Sequence, residues 1–236
     1  MEMAVASRLL ELNRRFYAEH GGDFSATRRR LQPGVLRVIE SWRGDETILD
    51  LGCGNGELAR ALSRRGHRGS YLGLDSSLPL LREAERGPFH FPVHFLQADL
   101  IALPQTDERW SCVSAFAVLH HVPGLALRLR MLEAARARLA DGGSFVLSNW
   151  QFLTSPRLKA RIQSWDVVGL RQQDVDAGDA LLDWRLGGGG LRYVHAFDET
   201  ELAELARAAH FEIFDSFYSD GENNRLSLYQ IWKGAG

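Results

Sequence analysis

Apolar positions in the first 45 residues recur at helical spacing. Val5, Leu9, Leu12 and Phe16 share one face over 5–19, and Val35, Leu36, Ile39 and Trp42 share another after Pro33. From Thr47 the pattern changes. The runs TILDL, SYLGLD, VHFLQAD, WSCVSAFAV and SFVLSNW read as strands, separated by the helical runs ELARALSRRG, LPLLREAER and LRLRMLEAARARLA. Strands alternating with helices predict an α/β fold with a mostly parallel sheet and helices on both faces. A less regular stretch, 151–192, interrupts the alternation and ends in the glycine run Gly187 to Gly190. A helix then starts after Asp198, its N-cap, with Glu201 at the capping-box position. The last two strands, FEIFDSFYS and RLSLYQIWK, follow with no helix between them, so they form an antiparallel hairpin.

A chain of 236 residues, 45% hydrophobic and 25% charged, suits one large core. The expectation is a single domain over 1–236, with a helical cap over 1–45 and a substrate lid over 151–192. The glycine run would hinge the lid, and Trp165, Trp184 and Phe197 would bury on closure. No apolar run approaches the roughly 20 residues that span a bilayer, and MEMAVASRLLELNRR reads as an amphipathic helix rather than a signal peptide. No membrane partner and a cytoplasmic location are expected. Cys53 and Cys112 lack the spacing of a disulfide framework or a metal site, and no metal is expected. A net charge of -2 gives no global basic field, so a polyanion would need a local patch. Arg14, Arg15, Arg28, Arg29 and Arg30, together with Arg157, Lys159 and Arg161, are the candidates.

The chemistry centres on ILDLGCGNGELARAL, residues 48–62, where Gly52, Gly54 and Gly56 lie between a strand and a helix. That is the nucleotide-binding position of open α/β sheets. The dinucleotide fingerprint fails because Glu57 stands where its third glycine belongs, and no Gly-Lys-Ser/Thr follows for a P-loop. Asp75 closes the second strand about twenty residues on, where an acid accepts ribose hydroxyls. Asp99 closes the third strand, and FAVLHHV, with His120 and His121, closes the fourth.

LDLGCGNG resembles the loop of class I S-adenosylmethionine (SAM) methyltransferases. The resemblance implies a Rossmann-like seven-stranded sheet and SAM as cofactor. The cofactor site it implies consists of Arg28, Asp50, Gly52, Cys53, Gly54, Asn55, Gly56, Asp75, Ser76, Asp99, Leu100, Phe116 and His121. Asp99 and Leu100 would face the adenine, and Arg28 would cover the methionine carboxylate. For the His-His pair, a packing role and a general-base role both remain open.

A narrower resemblance runs through FSATR at 24–28, LDLGCGNG, VLHHV, GDALLDW at 178–184, RYVHAFDETEL at 192–202 and SFYSDGEN at 216–223. In this order they are similar to the methyltransferases that esterify a carboxymethyl group on the wobble uridine of tRNA. This family includes the methyltransferase domain fused to an AlkB-type hydroxylase, and its members usually work with a zinc-binding activator subunit. The segment LLDW lacks the proline common in that family, and VPGLALRLR replaces its polar run. A carboxylate acceptor is already ionised and needs a cation and donors to orient it, the role expected of Arg192, Tyr193 and His195. Two other readings stand beside this one: methylation of a small-molecule acid or phenol, and a SAM-binding module without catalysis.

Overall fold

The computed structural model describes residues 1–26, 30–185 and 189–235. Two helices lead, α1 (Met3–Ala26) and α2 (Pro33–Glu40). Then come β1 (Thr47–Leu51), α3 (Glu57–Arg64), β2 (Ser70–Asp75), α4 (Leu78–Ala84), β3 (Val93–Gln97), β4 (Trp110–Phe116), α5 (Leu125–Arg136) and β5 (Leu139–Trp150). The insertion contributes α6 (Pro156–Lys159), β6 (Ile162–Gln163), β7 (Asp179–Trp184) and β8 (Gly190–His195). The chain closes with α7 (Glu199–Ala208), β9 (Phe211–Ser219) and β10 (Ser227–Gly234).

Seven strands form one sheet in the order β3-β2-β1-β4-β5-β10-β9. The first five are mutually parallel, and β10 runs antiparallel to both β5 and β9, as expected of the terminal hairpin. The strand order reverses direction at β1, which places a crevice outside the C-terminal ends of β1 and β4. Side-chain alternation divides the core in two. Leu49, Leu51, Val113, Ala115, Phe145 and Leu147 face α5 and α7, while Ile48, Tyr71, Cys112 and Val146 face α2, α3 and α4. Both faces of the central strands are covered, so these strands read as continuous apolar runs.

The insertion holds its own three-stranded antiparallel sheet, β6-β7-β8. One face packs Leu181 and Tyr193 with Leu9 of α1, Trp165 and Leu170. The other packs Ala180, Leu182 and Val194 with Phe152 and Leu158. Trp165, Trp184 and Phe197, the aromatics expected to bury on lid closure, are buried in this structure. Of the expected hinge, Gly187 lies outside the described residues, as does Gly188. Gly190 is already in β8, and a Cβ there would come within 2.9 Å of His20 Nε2 and 3.1 Å of the Phe16 ring, so its bareness serves close packing. The capping box is half made. Asp198 accepts the Glu201 N–H at 2.8 Å, but the Glu201 carboxylate turns instead to His195 and Arg128.

Candidate active site

The loop after β1 is fixed at both flanks. The Gly52 and Cys53 N–H groups donate to the Leu74 carbonyl at 2.7 and 3.0 Å, and the Gly54 N–H donates to Asp75 Oδ2 at 2.9 Å. Gly52, Gly54 and Gly56 all have positive φ, which an L side chain rarely adopts. Their surroundings differ. A Cβ on Gly52 would meet Val118 at 2.5 Å and one on Gly56 would meet Ala84 at 2.9 Å, whereas one on Gly54 would meet nothing within 4 Å among the described residues. The first and third glycines therefore serve packing, and the middle one leaves space open.

That space belongs to a cavity of about 590 Å³ along the C-terminal edge of the sheet. Of the residues expected to hold a cofactor, Asp50, Gly52, Cys53, Gly54, Asn55, Asp75, Ser76, Asp99, Leu100, Phe116 and His121 all line it. Gly56 stands behind it as the N-cap of α3, and Arg28 lies outside the described residues. Asp50 is buried and accepts the Tyr71 hydroxyl at 2.6 Å and the Ser114 hydroxyl at 2.7 Å. Burial raises its pKa to about 6 against the opposing effect of those two hydrogen bonds, and the nearby Asp75 charge adds to the rise. Asp75 is raised as well, again through burial, while its two oxygens take the N–H groups of Gly54 and Ser77. Each carboxylate oxygen keeps a second lone pair for a ligand hydroxyl. Asp99 accepts the Ile101 N–H at 3.1 Å and pairs with Arg14 of α1 at 2.7 Å, both side chains being partly in solvent.

The cavity lining also includes Arg157, Arg161 and Arg192 together with the aromatic Trp150 and Trp184. Arg192 is 3% exposed, and its guanidinium carbon lies 5.0, 5.1 and 5.2 Å from the rings of Phe16, Trp150 and Trp184. Such spacing permits cation–π attraction.

Tyr193 and His195 do not share this site, which corrects the expectation that the three converge. Side chains alternate along a strand, so residues 193 and 195 leave β8 on the face opposite Arg192. There the Tyr193 hydroxyl donates to Asp179 Oδ1 at 2.7 Å and accepts from Arg128 at 3.0 Å. His195 places Nδ1 2.6 Å from Asp179 and Nε2 2.9 Å from Glu201. Burial works to lower the His195 pKa, but the hydrogen bonds to these two carboxylates outweigh it and the net shift is upward. Burial pushes the Tyr193 hydroxyl well above its ordinary range, so it stays a neutral donor. This buried cluster joins α5, β7, β8 and α7 and anchors the strand that carries Arg192.

The two adjacent histidines also separate. His120 is fully buried, stacks on Trp150 with centroids 5.3 Å apart, and is pushed well below its ordinary pKa, first by burial and then by the His121 and Arg192 charges. His121 lines the cavity, with Nδ1 3.0 Å from the Tyr193 carbonyl and Nε2 3.0 Å from the Tyr17 hydroxyl.

Sequence reading missed Asn13 and Tyr17, which α1 brings into the cavity wall, and Asp220 and Tyr229 from the terminal hairpin. Asn13 is buried within an amphipathic helix, and its amide bonds both the N–H and the carbonyl of Tyr193. A polar residue on the apolar stripe of that helix was the available signal.

The methyltransferase domain family model matches residues 24–216. A protein described as a methyltransferase from Encephalitozoon cuniculi (strain GB-M1) is 31% identical over 202 residues, covering 85% of this chain and 87% of its own. The tRNA (carboxymethyluridine(34)-5-O)-methyltransferase of Arabidopsis thaliana is 30% identical over 139 residues, covering 58% of this chain and 32% of its own. Among solved structures, the 1,6-didemethyltoxoflavin-N1-methyltransferase of Burkholderia thailandensis superposes with a TM-score of 0.67 at 20% identity. The match covers 100% of this chain and 92% of that one.

Proposed function

The chain belongs to the methyltransferase domain family and is an S-adenosylmethionine-dependent methyltransferase, and on that premise we propose that its acceptor is a carboxylate, carried on tRNA as a carboxymethyl group of the wobble uridine. The observation that carries the acceptor reading is the buried Arg192 guanidinium, set among three aromatic rings in the lining of the cavity that also contains Asp50, Asp75 and Asp99. The acids suit a sulfonium and a ribose, and the Arg192 cation suits an anionic nucleophile. In this reading Asp75 accepts the ribose hydroxyls, Asp99 and Leu100 face the adenine, and the loop from Gly52 to Asn55 leaves room for the methionine portion.

Methyl transfer from a sulfonium is an in-line displacement in which the leaving thioether is neutral, so the cofactor supplies the activation and the protein aligns the reactants. Alignment contributes about 7–11 kcal/mol. A carboxylate has no proton to lose, and a cation that fixes its orientation is sufficient.

The tRNA carrier is supported by the plant relative and by Arg30, Arg157 and Arg161, which add positive charge to the cavity lining where phosphates could be neutralised. A small-molecule acid is the second reading, favoured by Trp150 and Trp184, which add aromatic surface to the cavity lining. Incubation with methyl-labelled SAM and either bulk tRNA or a metabolite extract tests both readings. Label recovered as a carboxymethyl ester nucleoside after nuclease digestion supports the first. Label confined to small acids replaces it with the second, and label in neither fraction overturns the carboxylate acceptor.

A further inference from the structure

We propose that Tyr17 and His121 form a proton-accepting pair that lets the same cavity methylate a neutral hydroxyl, a phenol above all, in addition to a carboxylate. The inference rests on the methyl donor occupying this cavity and is independent of the carboxylate reading.

The Tyr193 carbonyl can only accept, so His121 Nδ1, 3.0 Å away, carries the hydrogen. In the neutral ring this leaves Nε2 as a lone pair, and the Tyr17 hydroxyl 3.0 Å from it donates there. The carbonyl cannot easily turn away. It also accepts from Asn13 Nδ2 at 3.1 Å, the Tyr193 N–H donates to Asn13 Oδ1 at 2.8 Å, and the Tyr193 side chain is locked by Asp179 and Arg128. The buried cluster behind β8 thus fixes a histidine tautomer in front of it.

Both members of the pair line the cavity, and they share a wall with the cation. The His121 and Trp150 ring centroids are 6.3 Å apart, edge to face, while the Arg192 guanidinium lies 5.1 Å from the same indole. His120, whose ring centroid is 4.3 Å from that of His121, is walled in and cannot reach the cavity.

The phenol oxygen forms a bond to the methyl carbon as the carbon–sulfur bond breaks, and the bonding pair returns to sulfur, giving neutral S-adenosylhomocysteine. The phenol proton passes to the Tyr17 oxygen as the Tyr17 proton passes to His121 Nε2. The positive charge of the sulfonium ends on the imidazolium, which releases a proton to solvent afterwards. Arg192 faces the negative charge that develops on the phenol oxygen. A general base of this kind contributes about 10²–10⁴-fold, and only for an acceptor that carries a proton.

The test compares three probes near pH 8: 4-methylphenol, which is neutral there, 4-nitrophenol, which is largely ionised, and the 5-carboxymethyluridine nucleoside. The parent is expected to methylate 4-methylphenol. In Tyr17→Phe and His121→Gln, the rate with 4-methylphenol relative to 4-nitrophenol should fall by about 30-fold or more. Equal losses with both phenols would make the pair merely structural, and a parent that leaves 4-methylphenol untouched would overturn the proposal. Transfer to phenols with none to the carboxymethyl nucleoside would sink the carboxylate reading alone. Nitrogen-15 NMR gives an independent readout: a protonated Nδ1 and bare Nε2 on neutral His121 are expected, and the reverse tautomer would remove the base.

Discussion

Asp75 and Gly54 are tied to each other, the glycine N–H donating to the acid's Oδ2 at 2.9 Å. The other oxygen of Asp75 takes the Ser77 N–H at 2.8 Å, so one side chain holds the glycine loop and the start of α4 together. Removing it should therefore do two things. Asp75→Ala is expected to abolish SAM binding and to cost about 1–3 kcal/mol of stability through the two orphaned N–H groups, with the fold retained. Calorimetry and thermal denaturation measure the two effects. Binding within a factor of two of the parent would mean the cofactor lies elsewhere.

The glycines of the loop should separate packing from space. Gly52→Ala forces an L side chain to φ +75° and drives its Cβ to 2.5 Å from Val118, so a stability loss of about 2–5 kcal/mol is expected. Gly54→Ala meets the backbone strain, about 1–2 kcal/mol, with nothing within 4 Å among the described residues. Gly54→Val should fold yet fail to bind SAM. Chemical denaturation of the first two variants, and SAM titration of the third, would reveal any reversal of that order.

Asp50 and His195 predict the direction of the pH dependence. For each the folded-state pKa lies above the ordinary value, so its stabilising contribution is full below that ordinary value and is lost as pH rises through the folded one. The window for Asp50 runs from about 4 to about 6, and that for His195 begins at about 6.5 and extends upward. Melting temperatures should therefore decline from about pH 4 toward the alkaline side. Asp50→Asn should flatten the acidic part and His195→Gln the alkaline part. A His195→Gln profile parallel to that of the parent above pH 7 would show that the imidazolium does not clamp Asp179 to Glu201.

Arg192→Ala should lower kcat/KM for the acceptor by about 10- to 150-fold, the equivalent of roughly 1.5–3 kcal/mol for a charge-assisted pair, with SAM affinity nearly unchanged. Arg192→Lys should recover only part of this, since an ammonium keeps the charge but lacks the planar fork that binds a carboxylate through two parallel hydrogen bonds. Steady-state kinetics with the labelled acceptor decide it. Unchanged acceptor kinetics in the alanine variant would remove the carboxylate reading.

Much of this molecule is written locally. Each central strand is a short apolar run, each connection begins with its own turn residues, and the glycine loop sits a fixed few residues after β1. The positions of Asp50, Asp75, Asp99 and Phe116 at the sheet edge follow from those facts, because a strand that ends there delivers its last side chains there. The period of two along RYVHAF was also present in the sequence. It separates Arg192 from Tyr193 and His195, but it speaks only once that segment is known to be a strand. The remaining features required the folded chain. Tyr17 meets His121 across 104 residues of sequence, Asn13 meets Tyr193 across 180, and Arg128 meets Glu201 across 73. Local pattern determined which elements form and which loop lies open, because it reflects forces between near neighbours in the chain. Only the packing of α1 and the insertion against the sheet decided which polar side chains face one another, because contacts at such separations depend on where whole elements come to rest.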